Sequence, residues 1–432
     1  MTLQDEIQDK LAKVILSLKD TILLVSLRLG KTRIALKAIE KGDKVLVVYP
    51  DVTIKKSWEA ELIKYVPLST DITFTTKASV HKLINTSWDF LIIDEPQLTM
   101  SEKQLHALST IKYKKRVALS GTLKPQTLKI LKAKLNLTVG YTYTIANAIK
   151  DKLVKDYKVN VHFTTLDDFV KLPYTKFGKT FYGTEKEIYD YYTEAMTYFK
   201  KKEEDGGEDK LKSMLGFKKY MGLRTNLLYN SLALFKQAKI LTKKFEKEKM
   251  LIYTLRTDIA DDLSDFSYHS KKKEDELLES FKEAPNGHAA VVNCVRAGVT
   301  IKKLYRVLFH TYESNTEILY QKLGRSLLYE FTEDKSVIDI CCLKNTQMET
   351  WVNKACESLE QEKIFYIYQG IEYSKNHWIK MNNIGKELYF YNGAVVYRGE
   401  DLIDSNQIIK QYRFLDTPDK LYPIADKNLI PL

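Results

Sequence analysis

Apolar and polar residues alternate with two different periods along the first 145 residues. Short apolar runs, such as TILLVSL from residue 21 and DFLIIDE from residue 89, have the length and composition of buried strands. Segments such as DEIQDKLAKVILSL from residue 5 repeat their apolar positions every three or four residues, which predicts amphipathic helices. Because apolar strands alternate with helices, the pattern predicts a parallel sheet that is covered on both faces.

Three helices and five strands are predicted in this first unit. Gly42 is expected to close the second helix, and Pro50 is expected to stop the second strand. The helices are predicted at residues 5–18, 32–42 and 53–65, and the strands at residues 21–27, 44–50, 71–76, 89–95 and 113–122.

The same alternation returns between residues 247 and 343, which predicts a second α/β unit. Its predicted elements are a strand followed by a helix within residues 247–266, helices at 275–284 and 316–330, and strands at 289–294, 305–312 and 335–343. The long polar stretch from Thr184 to Lys249 between the two units has a helical pattern, with a charged Gly-Gly break inside Lys200–Lys212. After Gln361 the chain becomes rich in tyrosine, and short strands separated by turns predict a small β-rich appendage.

Composition narrows the class of protein further. The 432 residues are 44% hydrophobic and carry a net charge of +12, which suits a polyanionic partner such as nucleic acid. No apolar run approaches the ~18 to 20 residues that span a bilayer, and the first residues lack a signal-peptide pattern, so we expect a cytoplasmic protein. The cysteines have neither metal-ligand spacing nor a disulfide pattern, and we expect buried thiols: Cys294, Cys341, Cys342 and Cys356.

The first candidate for chemistry follows the first predicted strand, where Gly30-Lys31-Thr32 opens a predicted helix. A strand, a loop and a helix with this tripeptide can direct backbone N–H groups at phosphate oxygens. Lys31 would reach the outer phosphates of a nucleotide, and Thr32 would offer its hydroxyl to Mg²⁺. The full phosphate-loop pattern requires glycine at position 25, where this chain has Val25.

Two acidic residues make a chance match less plausible. Asp94 and Glu95 end the apolar strand WDFLIIDE, about 60 residues after Lys31. Ligands of parallel α/β sheets bind beyond the carboxyl ends of the strands. One acid at this position can hold Mg²⁺, and the second can polarise the attacking water.

The ordered set of motifs resembles the superfamily two helicases and translocases, in particular the Swi/Snf-like branch. SLRLGKT from residue 26 is similar to motif I, and it also resembles the Met-Arg-Thr-Gly-Lys-Thr loop of phage-type members. Motif Ia carries a proline and Trp58, as is typical of the Swi/Snf-like branch. The other segments that resemble family motifs are ITFTTKASVHKL from 72 (Ib), IIDEPQ from 92 (II, DExx), VALSGTLKP from 117 (III), MLIYTLRTDIADDL from 250 (IV), VVNCVRAGVTI from 291 (V) and QKLGRSLL from 321 (VI).

The resemblance implies two RecA-like domains that bind Mg²⁺ and ATP in the cleft between them, and it assigns roles to matching residues. The implied catalytic residues are Glu95, Gln321 and Arg325, and the implied metal ligands are Thr32 and Asp94. The implied nucleotide-binding residues are Gln8, Leu29, Gly30, Lys31, Thr32, Arg33 and Gly298. The implied coupling residues are Ser120, Gly121 and Thr122, and the candidate phosphate contacts for nucleic acid are Thr53, Lys55, Thr76, Thr254, Arg256 and Thr300. Each candidate nucleic-acid contact has an alternative interpretation as a helix cap or a solvated surface residue.

The chain departs from the family pattern at several positions. Leu328 replaces the second arginine of motif VI, so hydrolysis would be slow or depend on Arg325 alone, with Arg296 as a speculative substitute. Leu123 replaces the usual proline of motif III. Gln8 either contacts adenine or is an ordinary exposed helix residue. Arg28, in the phosphate loop, would add charge near the phosphates, contact the other domain or point to solvent.

We therefore expect an N-terminal RecA-like domain at residues 1–147 and a second at 148–364, with a helical insertion at about 184–235 and an accessory segment at 365–432. The implied function is an ATP-dependent DNA helicase or translocase, with a phage or another mobile element as the expected source. The helical insertion either grips DNA or is a packing hairpin. The alternatives are an RNA helicase and a nucleic-acid clamp that does not hydrolyse ATP. The accessory segment would bind DNA or a replication or recombination partner, or it would only support the second domain.

Overall fold

The computed structural model consists of two parallel α/β sheets in tandem, followed by a small antiparallel sheet. It describes residues 2–431 except for 27, 51, 66–69, 99–100, 177, 206–209, 273–274, 293–300, 314–318, 320–321, 325, 329–334, 358, 383–387, 392–393, 400–401, 405–406 and 416. Among the described residues, no helix has the length and apolar character needed to cross a membrane.

The first sheet contains six strands in the order β3-β2-β4-β5-β1-β6, and all neighbouring pairs are parallel. Apolar residues fill both faces of its central strands because helices pack on each side. Its strands are β1 (Asp20–Val25), β2 (Lys44–Tyr49), β3 (Asp71–Thr76), β4 (Ser87–Asp94), β5 (Lys112–Ser120) and β6 (Thr138–Tyr143). The accompanying helices are α1 (Leu3–Ser17), α2 (Lys31–Lys37), α3 (Val52–Tyr65), α4 (Glu102–Thr110), α5 (Pro125–Leu135) and α6 (Ile145–Lys150).

The second sheet contains eight strands in the order β11-β12-β10-β13-β14-β7-β15-β16, and only the last pair is antiparallel. Its strands are β7 (Tyr157–Thr164), β10 (Lys249–Thr254), β11 (Phe266–Tyr268), β12 (Gly287–Val292), β13 (Arg306–Phe309), β14 (Ser336–Leu343), β15 (Ile364–Tyr368) and β16 (Ile371–Ser374). A separate hairpin is formed by β8 (Leu172–Lys176) and β9 (Lys179–Gly183). The helices of this part are α7 (Glu185–Glu204), α8 (Lys210–Tyr229), α9 (Leu232–Lys244), α10 (Thr257–Leu263), α11 (Asp275–Glu283), α12 (Gln347–Cys356) and α13 (Lys375–Asn382).

The C-terminal sheet has five strands, and a two-stranded hairpin is inserted in the chain between the second and third of them. The sheet order is β22-β21-β18-β17-β23, with antiparallel pairs, and the hairpin is β19-β20. The strands are β17 (Leu388–Tyr391), β18 (Ala394–Arg398), β19 (Leu402–Asp404), β20 (Gln407–Ile409), β21 (Gln411–Phe414), β22 (Thr417–Pro423) and β23 (Ile430–Pro431).

The structure confirms the predicted α/β fold with two parallel-sheet units, a helical insertion and a β-rich C-terminal segment. In the insertion, α7 and α8 pack against each other, and the hydroxyl groups of Tyr191 and Tyr220 lie 3.2 Å apart. The second predicted helix is shorter than expected, because α2 ends at Lys37 rather than at Gly42. Neither β6 nor β7 was predicted from the sequence; β6 forms one edge of the first sheet, and β7 lies between β14 and β15 in the second.

The placement of residues 365–374 in the accessory segment was wrong. These residues form β15 and β16, and Phe365 pairs with Asn160 of β7 in parallel register. Their tyrosine-rich composition reflects an edge of the second sheet that packs under α13, where the Trp378 ring lies 5.7 Å from the Tyr366 ring. Three of the four cysteines are buried, as expected, and the fourth lies outside the described residues.

A fully buried carboxylate connects the central strands of the second sheet. Asp339 of β14 accepts a hydrogen bond of 3.0 Å from Asn160 and lies 2.6 Å from His162 Nε2, both on β7. Arg306 of β13 donates to its other oxygen and also to Glu248. Burial opposes ionisation of this group, but His162 and Arg306 outweigh it and lower the pKa of Asp339. This polar set fixes the alignment of three neighbouring strands because its members have few alternative partners.

Candidate active site

The loop after β1 has a backbone conformation that only glycine adopts easily. Gly30 has φ +83° and ψ +56° at the N-cap of α2, in the left-handed region. A Cβ atom on Gly30 would lie 2.9 Å from Nε2 of Gln8. The loop therefore requires glycine at this position both for its backbone conformation and for its close approach to α1.

Gln8 supports this loop from inside the domain. Its side chain is fully buried, and Nε2 donates a hydrogen bond of 2.8 Å to the carbonyl of Leu29. One turn earlier, Gln4 Nε2 donates to the carbonyl of Arg28 at 3.3 Å. Burial excludes the alternative interpretation of Gln8 as an exposed helix residue. A contact between Gln8 and adenine remains a prediction.

The candidate cation and the candidate carboxylates meet at the carboxyl edge of the first sheet. Lys31 begins α2 after β1, while Asp94 ends β4 and Glu95 follows it. The Lys31 ammonium forms an ion pair with the Glu95 carboxylate. Burial opposes the charge on Lys31, but Glu95 and Asp94 outweigh it, so the pKa of Lys31 is raised. Lys31 and the two adjacent acids, which follow it by more than 60 positions, thus form one charged cluster.

Asp94 is held in a defined orientation by an indole. Trp58 of α3 is fully buried, and its Nε1 donates a hydrogen bond of 3.1 Å to Oδ2 of Asp94. Burial and the neighbouring charge of Glu95 raise the pKa of Asp94 to about 6, while Lys31 and Trp58 act in the opposite direction. The sequence analysis used Trp58 only as a family signature. Because β2 pairs with β4 in parallel, α3, which follows β2, begins beside the carboxyl end of β4. Trp58 of α3 can therefore reach Asp94.

Glu95 connects the second and third motifs of the first domain. Its Oε2 accepts a hydrogen bond of 2.7 Å from Gln97 Nε2. Oγ of Ser120, at the end of β5, lies 3.2 Å from Glu95 Oε2, 3.1 Å from Gln97 Oε1 and 2.8 Å from the carbonyl of Thr122. Ser120 therefore contacts both Glu95 and Thr122, and a coupling role for Ser120 and Thr122 remains a prediction. Gly121 lies between them, and Gln97 is a site residue that the sequence analysis did not propose.

Glu95 also has an unusual backbone conformation. Its φ is +47°, in the left-handed region that few residues other than glycine adopt. Arg28, in the phosphate loop, has φ +68°. Left-handed residues of this kind cost of the order of 1 kcal/mol each and often occur at functional sites. Both residues face the same edge of the first sheet, where the charged cluster lies.

Arg28 joins the phosphate loop to the second domain. Its Nε donates a hydrogen bond of 2.8 Å to the carbonyl of Gly324, which lies 296 positions later in the segment that resembles motif VI. Of the three interpretations that the sequence left open, the structure favours contact with the other domain. The neighbouring catalytic candidates Gln321 and Arg325 lie outside the described residues, as do Gly298, Thr300 and Arg296.

The remaining nucleotide-binding candidates, Thr32 and Arg33, differ in what they contact. Thr32 lies half-buried in the first turn of α2. Arg33 Nε donates to Glu61 of α3 at 3.1 Å, and its guanidinium lies 4.9 Å from the centre of the Tyr65 ring. These contacts favour a role for the Arg33 side chain in holding α2 against α3.

The candidate nucleic-acid contacts lie near the carboxyl ends of strands in both sheets. Thr76 ends β3, and Lys55 of α3 forms an ion pair of 3.2 Å with Glu59. Thr254 ends β10, but it is buried and donates to the carbonyl of Arg256 at 2.9 Å, which favours the alternative of a capping hydroxyl. The exposed Arg256 side chain is paired with Asp258 and Asn230. Thr53 lies in the first turn of α3, and its side chain lies outside the described residues.

The residues of the charged cluster fit a nucleoside triphosphate with Mg²⁺. Lys31 supplies a cation for phosphate oxygens, and Asp94 and Thr32 supply the carboxylate and hydroxyl oxygens that Mg²⁺ prefers. Within the described ranges, no group of three or more histidine, cysteine, aspartate or glutamate residues could hold a metal ion.

No protein-family model and no curated protein matches the chain. Solved structures do match it: the helicase domain of Hef from Pyrococcus furiosus has a TM-score of 0.49 at 11% identity over 82% of this chain and 97% of that one. The ATP-dependent Type ISP restriction-modification enzyme LlaBIII, bound to DNA, has a TM-score of 0.52 at 14% identity over 84% and 30%. The SWI2/SNF2 ATPase core of Sulfolobus solfataricus, in complex with duplex DNA, has a TM-score of 0.30 at 14% identity over 81% and 89%.

At these identities the likeness concerns the fold, and of these three alignments the one with LlaBIII exceeds a TM-score of 0.5. This chain spans 30% of LlaBIII, so the likeness covers one region of a larger enzyme. Together with the strand orders of the two large sheets, it shows a tandem RecA-like fold.

Proposed function

We propose that this protein is an ATP-dependent DNA translocase or helicase of superfamily two, in the Swi/Snf-like branch. The observation that carries the proposal is the cluster of Lys31, Asp94 and Glu95 at the carboxyl edge of the first sheet. An edge of this kind binds ligands in parallel α/β folds. The phosphate loop, the two acids and the serine of β5 occur in the order that the family resemblance requires.

Each residue of the cluster has a task in this mechanism. Lys31 would bind phosphate oxygens of ATP, and Asp94, oriented by Trp58, would hold Mg²⁺ together with Thr32. The metal would neutralise charge on the phosphates during transfer. Glu95 accepts a proton from the attacking water, and its contacts with Ser120 transmit its position to β5.

Hydrolysis in this mechanism depends on both domains. Arg28 connects the phosphate loop to the carbonyl of Gly324, next to the proposed arginine finger Arg325. A change in the phosphate loop would therefore move the segment that supplies the finger. Opening and closing of the cleft would displace one domain relative to the other along DNA.

Two observations support DNA as the partner. The net charge of +12 favours a polyanion, because basic side chains release counterions when they bind phosphates. LlaBIII, which shares the fold, was solved bound to DNA. Lys55, Thr76 and Arg256, which follow or end strands of the two sheets, would contact phosphates and carry little sequence information. The C-terminal sheet would add a contact with DNA or with a replication or recombination partner.

The test is ATP hydrolysis by the purified chain with single-stranded, duplex and forked DNA and with RNA. We expect DNA to stimulate hydrolysis. Because a general base contributes about 10² to 10⁴ in rate, Glu95→Gln should lower kcat at least ~100-fold while ATP binding persists. Glu102→Gln, on the exposed start of α4, is the matched control and should leave the rate unchanged. Stimulation by RNA alone would contradict the choice of DNA.

A nucleic-acid clamp with a degenerate ATPase site is the second candidate. Leu328 favours it, because this position carries the second motif VI arginine in the family. Its backbone bridges to Val154 within the second domain. If the chain binds both ATP and DNA but does not hydrolyse ATP, the clamp replaces the motor. Leu328→Arg would then show whether the missing arginine is the reason.

A further inference from the structure

A short loop after β7 is held rigidly by one carboxylate. Oδ1 of Asp167 accepts hydrogen bonds from the backbone amides of Phe169 and Val170, at 2.9 and 2.8 Å. Its Oδ2 accepts one of 2.7 Å from Lys236 Nζ of α9. The Asp167 amide in turn donates to Glu185 at 2.9 Å, at the start of α7. The loop conformation is thus determined by contacts with two helices.

This rigid loop holds an aromatic ring in water. The Phe169 side chain is 90% exposed, the most exposed large hydrophobic residue among those described, and Val170 beside it is 41% exposed. A single exposed hydrophobic residue needs no explanation, but this one is held by a hydrogen-bonded loop. The hydrogen bonds of the loop thus keep the Phe169 ring exposed to solvent. An exposed ring in an ordered loop can bind a ligand without a costly rearrangement of the loop.

The hairpin that follows presents a second aromatic ring. Directly opposite residues of β8 and β9 share a face, so Tyr174 and Phe181 lie on one side and Pro173 and Tyr182 on the other. Tyr174 packs on Tyr191 of α7, with the ring centres 5.6 Å apart. The opposite face is therefore the outer one, and Tyr182 is 68% exposed there.

The charge of this segment is positive. Residues 168–183, which we call the aromatic segment, contain three lysines and one aspartate, a net charge of +2. Lys171 and Lys179 are exposed, whereas the Lys176 ammonium lies 4.6 Å from the centre of the Tyr191 ring. Exposed rings next to lysines suit a strand of nucleic acid, whose bases stack on aromatic rings while its phosphates attract cations.

The aromatic segment starts at the functional edge of the second sheet. β7 is parallel to β14, β13 and β10, so its carboxyl end lies at the same edge as that of β10, which ends at Thr254 and is followed closely by Arg256. Three strand spacings separate β7 from β10, or about 14 Å.

From the exposure of two rings and two lysines in one segment we propose that Phe169 and Tyr182 provide stacking surfaces for unpaired bases of single-stranded DNA, with Lys171 and Lys179 contacting the adjoining phosphates. The proposal rests on the proposed function and makes it more specific, because a surface for unpaired bases acts on a separated strand. A motor that only moved along duplex DNA would have no use for such a surface.

The first experiment measures the affinity of the full-length chain for a fluorescein-labelled oligo(dT) as a function of salt. Phe169→Ala and Tyr182→Ala should each weaken binding about 10-fold, because one stacked base is lost. The slope of log K against log salt should stay unchanged in these variants, because neither ring neutralises a phosphate. Lys179→Ala should instead reduce the slope by about 1. Phe266→Ala, an exposed phenylalanine of the edge strand β11, is the matched control and should bind like wild type.

The second experiment tests the contact directly. Oligonucleotides that contain 5-iododeoxyuridine are irradiated in complex with the protein, and crosslinked peptides are identified by mass spectrometry. We expect crosslinks within residues 168–183, and their loss in the Phe169→Ala/Tyr182→Ala double variant. Because both rings are exposed, the double variant should keep the Tm of wild type.

The outcomes separate this inference from the proposed function. If wild type binds DNA and hydrolyses ATP but the double variant binds oligo(dT) within twofold of wild type, the stacking surface is wrong and the motor stands. If wild type binds no nucleic acid, both fail. Crosslinking to RNA but not to DNA, or a changed oligomeric state with unchanged DNA affinity, would also overturn the proposal.

Discussion

At the scale of single residues, the site depends on groups that orient the charges. The indole of Trp58 donates to Asp94, and Gln8 supports the Leu29 carbonyl beneath the phosphate loop. A buried carboxylate without such a donor would lose part of its orientation and part of its preference for the charged form. The fully buried Trp58 therefore makes a hydrogen bond to Asp94 that a purely apolar side chain could not make.

Trp58→Phe tests this contact. The variant keeps an aromatic ring but removes the N–H donor to Asp94. A hydrogen bond to a charged group contributes roughly 1.5–3 kcal/mol, so we expect at least a 10-fold loss of kcat/KM for ATP and a higher Mg²⁺ requirement. Steady-state hydrolysis measured against Mg²⁺ concentration checks both.

Trp88→Phe is the matched control for this prediction. Trp88 is a nearly buried tryptophan of the same domain, and its Nε1 donates to Thr86 at 2.8 Å, near the start of β4 and far from Asp94. It should lose stability without a change in the Mg²⁺ requirement. Equal kinetics of the two variants would show that Trp58 acts only through packing.

The sequence predicted the charged residues of the site but not the residues that hold them. Lys31, Asp94 and Glu95 follow from a motif at the ends of apolar strands, where chemistry is expected. Trp58 and Gln97 lie inside motifs of the family resemblance, but these motifs do not reveal which side chains of other elements the two residues contact. Identifying them requires the strand order of the sheet, which no single motif encodes.

At the scale of elements, the carboxyl ends of the parallel strands determine where polar residues meet. His310 shows the effect in the second sheet. It follows β13, its amide donates to the Tyr253 carbonyl of β10 at 3.0 Å, and its side chain is fully buried. Within the described residues its Nε2 has no hydrogen-bond partner, and burial lowers the pKa of His310 to about 4.

This depressed pKa predicts a pH-dependent stability. Below pH about 6.5 the unfolded chain binds a proton at His310 that the folded chain does not bind until pH falls to about 4. Protons therefore favour the unfolded state in this window, and stability falls as pH falls. Between pH 7.5 and pH 5 this group alone should lower the free energy of unfolding by about 2 kcal/mol.

Urea unfolding of wild type and His310→Gln at the two pH values measures this effect. Glutamine does not titrate, so the variant should lose about 2 kcal/mol less than wild type on acidification. The comparison cancels the contribution of carboxylates that titrate in both proteins. An identical pH dependence of the two proteins would show that His310 ionises equally in the folded and unfolded states.

Strands and helices with a clear period were predictable from the sequence, and the exceptions have physical causes. β4 and β14 are apolar runs buried on both faces, so their pattern is strong. β6 reads TVGYTY and is mostly exposed at an edge, so it lacks such a pattern. The hairpin of β8 and β9 carries exposed aromatic rings, a pattern that resembles neither a core strand nor a loop.

At the scale of the whole molecule, the two RecA-like domains meet at a hydrogen bond between residues 296 positions apart. The sequence could place Arg28 in the phosphate loop and Gly324 in the sixth motif, but it could not choose among the three interpretations of Arg28. That choice depends on how the domains pack, which is a property of the folded chain alone. The contact makes Arg28 a positioning residue between the two halves of the proposed site.

Arg28→Ala and Arg28→Lys together test this role. If Arg28 positions the second domain, both variants should lower DNA-stimulated kcat about 10-fold, because lysine lacks the Nε–H that reaches Gly324. The Kd for a fluorescent ATP analogue should stay within about threefold of wild type, because Lys31 and the loop backbone remain. If Arg28 instead supplies charge to the phosphates, alanine should weaken nucleotide binding and lysine should restore it. Two variants with the kinetics of wild type would show that the contact between the domains has no part in hydrolysis.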